Sequence, residues 1–104
     1  VRRKAPRLAV VRHLHHRQRH AQAAGDGPLA LRYAMLAFNY FNDHEAPDWE
    51  QAFAHATLAA AAHAAGNLEL HGEHYAEATR LGEAIADPED RAVFMKSFAR
   101  VPSA

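Results

Sequence analysis

The string Ala23-Ala24-Gly25-Asp26 returns 41 residues later as Ala64-Ala65-Gly66-Asn67. Each copy closes one alanine-rich stretch and precedes another, so the chain reads as repeated helical hairpins. A period of about 20–50 residues marks units that bury their apolar faces against their neighbours. This restricts the fold far more than the chemistry.

Alanine carries much of the 49% hydrophobic share, which favours helices over strands. At 104 residues the chain is long enough for one core and one domain, residues 1–104, with a basic tail at 1–5. It has no Cys, which rules out disulfides and thiolate metal sites. No run approaches the roughly 18 apolar residues that span a bilayer, and no apolar core of signal-peptide type follows Val1-Arg2-Arg3-Lys4. The expectation is a cytoplasmic protein without membrane contact. Val1 in place of an initiator Met fits a trimmed chain or a fragment.

A formal net charge of zero hides a division along the sequence. Residues 1–20 hold seven Lys or Arg and no acid, whereas the remainder holds five basic and twelve acidic residues, a net of −7. Such a basic helix either packs beside acidic helices of its own domain or a second copy, or contacts a polyanion. The arm lacks interleaved aromatics for base stacking, and the pI of 7.3 is far below the roughly 9 of a dedicated nucleic-acid binder. A nucleic-acid-associated regulator is therefore the second choice.

Five helices are predicted. The first runs from about Pro6 to Ala24 with a thin stripe of Leu8, Val11, Leu14 or His15, Gln18 and Ala21. The second, about Pro28 to Asn42, is apolar almost all round, which predicts a central element covered on more than one side. Asp43-His44-Glu45-Ala46-Pro47 reads as a loop, with Asp48 or its neighbours placed to cap the third helix, which ends near Ala65. The fourth, about Leu68 to Ala86, carries Glu69, Glu73 and Glu77 on one wet face. Asp87-Pro88-Glu89-Asp90 opens a fifth, whose Val93, Phe94, Phe98 and Val101 dock as a lid, and Pro102 ends it.

Asp48-Trp49-Glu50-Gln51-Ala52, the alanine-rich turn after it, Ala65-Gly66-Asn67, and then Gly72, Tyr75 and Ala76 resemble the long variety of tetratricopeptide repeat. The likeness covers Leu8 to Arg100 as pattern and Asp48 to Gly82 residue by residue. The chain departs from the family in its 41-residue unit, against about 34, and in lacking a Pro after most second helices. The resemblance implies an all-α fold, antiparallel helical hairpins stacked as a short right-handed array of about five helices. It also implies a protein- or peptide-binding module without chemistry of its own.

Nine histidines invite a metal assignment. His16 and His20 stand four apart with His13 upstream, but Arg17 occupies the place where the metalloprotease pattern needs Glu, and Arg17 and Arg19 repel cations. His71 and His74 with Glu73 form a weaker cluster. No metal and no cofactor is expected. Ser97 and Ser103 are the only serines and neither lies in a nucleophile turn, so an enzyme is not expected.

If the second and fourth helices face each other, Arg32, Met35, Asn39 and Asn42 oppose His71 and Glu73. Arginine and asparagine hold extended peptides by carboxylates and backbone, so these six residues form the expected partner site. So short an array has exposed ends, which predicts a homodimer or docking onto a larger assembly through the apolar remainder of the first or last helix.

Overall fold

The computed structural model describes the backbone of residues 4–42 and 47–103, with side chains at 10, 12–39 and 47–103. The described residues form five α-helices and no strand: α1 (Lys4–Ala23), α2 (Gly27–Asn42), α3 (Asp48–Ala64), α4 (Leu68–Glu83) and α5 (Pro88–Phe98). The expected basic tail gives Lys4 and Ala5 to α1, and residues 1–3 lie outside the described residues. The expected loop at 43–46 also falls outside them.

The repeated string builds the same joint twice. Gly25 and Gly66 take φ of +79° and +78°, the left-handed region that lacks a Cβ penalty only for glycine. Around them the Asp26 amide donates to the Ala21 carbonyl (2.8 Å) and the Asn67 amide to the Ala62 carbonyl (2.9 Å). These bonds satisfy the last carbonyls of each helix. The same acid or amide then starts the next helix: Asp26 Oδ1 accepts from the Leu29 amide and Asn67 Oδ1 from the Leu70 amide, each at 3.1 Å. The two joints meet in space, because Gly27 abuts the Ala64–Ala65 backbone at the far end of α3.

The α4–α5 joint is built differently. Asp87 caps α5 by accepting from the amides of Glu89 (2.7 Å) and Asp90 (3.1 Å), with Pro88 in the first turn. Asp48 does not cap α3, whose N-cap is Pro47. Its Oδ2 instead accepts from the Ala86 amide at 3.1 Å and ties the start of α3 to this joint.

The central element is α3, not α2. It packs along α2 and α4 and also meets α1 and α5, whereas α2 has close backbone neighbours only in α1 and α3. Alanine explains the exchange: Ala52, Ala54, Ala56, Ala59, Ala61 and Ala62 are all buried, so neighbouring axes approach α3 from several sides. On α2 the buried stripe is likewise Ala30, Ala34 and Ala37, while Leu29, Met35 and Leu36 stay exposed.

Among the described residues two hydrophobic clusters stand out. Leu58 and Ala61 meet Ala34, flanked by Leu31 and Phe38. Ala52, Ala56, Ala78, Ile85, Phe94 and Phe98 form the larger one, joined by Phe53, Tyr75, Leu81, Met95 and Val101. The lid therefore docks through Phe94 and Phe98, with Val101 half-buried, but Val93 is 62% exposed because it lies about 100° around the helix from Phe94.

Candidate functional site

The expected partner site does not assemble. Arg32, Met35 and Asn39 lie on the exposed outer face of α2, the Asn42 side chain is outside the described residues, and α2 and α4 have no close backbone approach. On α4, His71 and Glu73 are about 200° apart, so they cannot share a face. Glu73 is exposed, whereas His71 is 3% exposed and its Nε2 donates to the Pro102 carbonyl at 2.7 Å. His71 holds down the chain end after α5.

A cleft of about 400 Å³ opens elsewhere, between α1, α3 and α5. The floor is Phe53, Ala56, Ala60 and Val101, and the small side chains at 56 and 60 leave the room. Among the described residues His15, Arg19 and Arg100 supply its ionisable groups, and no carboxylate lines it. Burial pushes the His15 pKa down and the Arg19 guanidinium adds to the shift. That imidazole is thereby kept neutral near pH 7.

Gln18 anchors the wall. It is 3% exposed, and its Nε2 donates to Gln22 Oε1 (2.8 Å) and to the Thr57 carbonyl (3.3 Å). The Thr57 carbonyl accepts only, so it fixes which way the Gln18 amide faces. Gln18 Oε1 is then a buried acceptor without a donor from the described residues. The sequence signal for this site is Gln18, a polar residue inside the apolar stripe of α1, with Gln22 one turn further on.

The histidines separate into unlike groups. His16 and His20 are exposed and touch edge to face, with ring centroids 4.6 Å apart. His63 meets His71 edge-on at 4.9 Å. Between α3 and α4, His55 Nδ1 and His74 Nδ1 are 2.9 Å apart on rings whose planes differ by 29°. Burial is the main influence lowering both pKa values; for His55 the neighbouring His74 adds to it, while Glu77 opposes it on both rings. Among the described residues no three His, Cys, Asp or Glu side chains are arranged to hold a metal ion.

The acidic row on α4 is solvated at Glu69 and Glu73, and Glu77 turns to Arg80, whose Nε donates to Glu77 Oε1 at 3.1 Å. That bond holds the Glu77 carboxyl below the usual range. Among the described residues no helix is long and apolar enough to cross a membrane.

No protein-family model matches the sequence, and no curated protein or solved structure matches it either.

Proposed function

We propose that this chain is a non-enzymatic protein-interaction module that takes an extended acidic segment of a partner into the α1–α3–α5 cleft. The observation that carries the reading is the pairing of an apolar floor with Arg19 and Arg100 at a site that no carboxylate lines among the described residues. Guanidinium groups bind carboxylates with directed, charge-assisted hydrogen bonds. The cleft lies among α1, α3 and α5, where α3 meets both other helices while α1 and α5 stay apart and leave the gap between them. The near-identical joints at Gly25 and Gly66 support a plan of repeated helical hairpins.

The test is fluorescence polarisation with labelled peptides alternating Glu or Asp with Leu, against the same peptides carrying Gln and Asn. Acidic peptides bind, and Arg19→Ala with Arg100→Ala weakens them about tenfold or more. Equal binding of the neutral set removes the proposal. The second reading, a regulator that contacts nucleic acid, rests on Arg12, Arg17 and Arg19, all exposed on α1. It requires duplex binding at low salt that collapses by orders of magnitude at moderate salt.

A further inference from the structure

We propose that His55 and His74 form a two-nitrogen seat for Cu(II) on the α3–α4 surface, completed by water. The pairing is fixed by the fold. Position 55 lies in α3 and position 74 in α4, and the alanine-lined contact between these helices brings the two Nδ1 atoms to 2.9 Å. Phe38 of α2 meets both rings edge-on, with centroids 4.9 and 5.3 Å away, and so restricts their rotation.

The separation is compatible with one coordination geometry more closely than another. With metal–nitrogen bonds of about 2.0–2.1 Å, two donors at adjacent corners of a square lie about 2.9 Å apart, and at corners of a tetrahedron about 3.3–3.4 Å. The observed 2.9 Å is the length of a hydrogen bond between the rings, and it coincides with the square edge. Square-planar or tetragonal sites with nitrogen and oxygen donors suit Cu(II), which also heads the affinity order for imidazole. A structural zinc site would want a tetrahedron closed by protein ligands, which this pair does not offer.

Proton accounting is simple. Two neutral imidazoles whose Nδ1 atoms face each other share one Nδ1 proton between them. On metal entry that proton leaves Nδ1 and the same ring regains one at Nε2, so both Nδ1 lone pairs face the ion and no net proton is released. Burial favours the neutral rings that a metal requires. The charged neighbours on α4 are Glu73 and Glu77, which favour a cation, and Arg80, which is paired with Glu77.

The experiment uses the untagged full chain at pH 7.5, titrated with Cu(II) and followed by calorimetry and by amide and side-chain NMR. One equivalent binds at micromolar concentrations or below. Paramagnetic broadening centres on Phe38, His55 and His74, and electron paramagnetic resonance shows a tetragonal signal with nitrogen coupling. His55→Ala and His74→Gln each weaken this site more than about tenfold, while His16→Ala with His20→Ala leaves it intact. Broadening centred on His16 and His20 overturns the proposal. So does an absence of saturable binding to the wild-type chain, a result that needs no variant to fold.

Discussion

Gly82 of α4 lies directly against the ring of Phe94 of α5: a Cβ at position 82 would fall 2.7 Å from Phe94 Cδ2 and nearer still to Cε2. The ring has no room to yield. Phe94 is fully buried, stacked on Phe98 at 5.2 Å and met edge-on by Phe53 at 5.1 Å. Gly82→Ala therefore costs about 1–3 kcal/mol of overpacking against a helix-propensity gain of about 0.8–1 kcal/mol, a net destabilisation. Gly72 of the same helix faces open space, and Gly72→Ala stabilises by about 0.5–1 kcal/mol. Urea unfolding of the two variants must give shifts of opposite sign.

Gly25 and Gly66 give a prediction of equality. Neither has a heavy atom within 4 Å of a built Cβ, so Gly→Ala at either is penalised by the backbone alone, about 1–2 kcal/mol. Asn in place of either glycine recovers most of that loss. At Gly27 the obstacle is different: a Cβ would meet the Ala64 carbonyl carbon at 2.7 Å and Ala65 Cα at 2.8 Å. Gly27→Ala therefore lowers the melting temperature more than either turn substitution. Thermal melts of the three variants decide it.

The helices and their joints were legible because glycine, proline and Asx residues act through local geometry that spacing reveals. Helix ends fell within a few residues of expectation for the same reason. What spacing did not reveal was which element occupies the middle. Large side chains on α2 suggested burial, yet closeness of approach is set by small ones, and α3 carries the longer all-round run of alanine. The site was lost at the same step. Pairing α2 with α4 placed Arg32 opposite His71, whereas a central α3 gathers α1 and α5 on one side and builds the cleft from His15, Gln18, Arg19 and Arg100. His71 and His74 belong to one short sequence cluster, but three positions on a helix separate a clamp on Pro102 from a ring against His55.

Acid lowers the stability of this protein before its carboxylates titrate. Burial first holds His15, His55 and His74 below the ordinary value of 6.5, so the unfolded chain binds more protons than the folded one just under that pH. Their neutral forms contribute full stability above about pH 6.5, and the contribution falls as pH drops through the folded values. Urea midpoints measured from pH 8 to pH 5 decline over this window. His55→Phe with His74→Leu flattens the decline.

The outer face of α2 carries the prediction of self-association. Leu29, Met35 and Leu36 are 37%, 45% and 47% exposed, and with Arg32 and Asn39 they occupy one arc of about 120° on the helix. The buried alanines Ala30, Ala34 and Ala37 lie on the opposite side, so this apolar face is the one predicted to meet a second copy. A two-fold interface holds Leu36 twice, and burying the exposed half of each leucine contributes about 0.7–1.5 kcal/mol. Leu36→Glu accordingly raises the dimer dissociation constant by at least about tenfold. It leaves the melting temperature of the dilute chain nearly unchanged, because that side chain is largely solvated within one copy. Sedimentation equilibrium across micromolar concentrations reads both chains, and a wild type that stays strictly monomeric there refutes the interface.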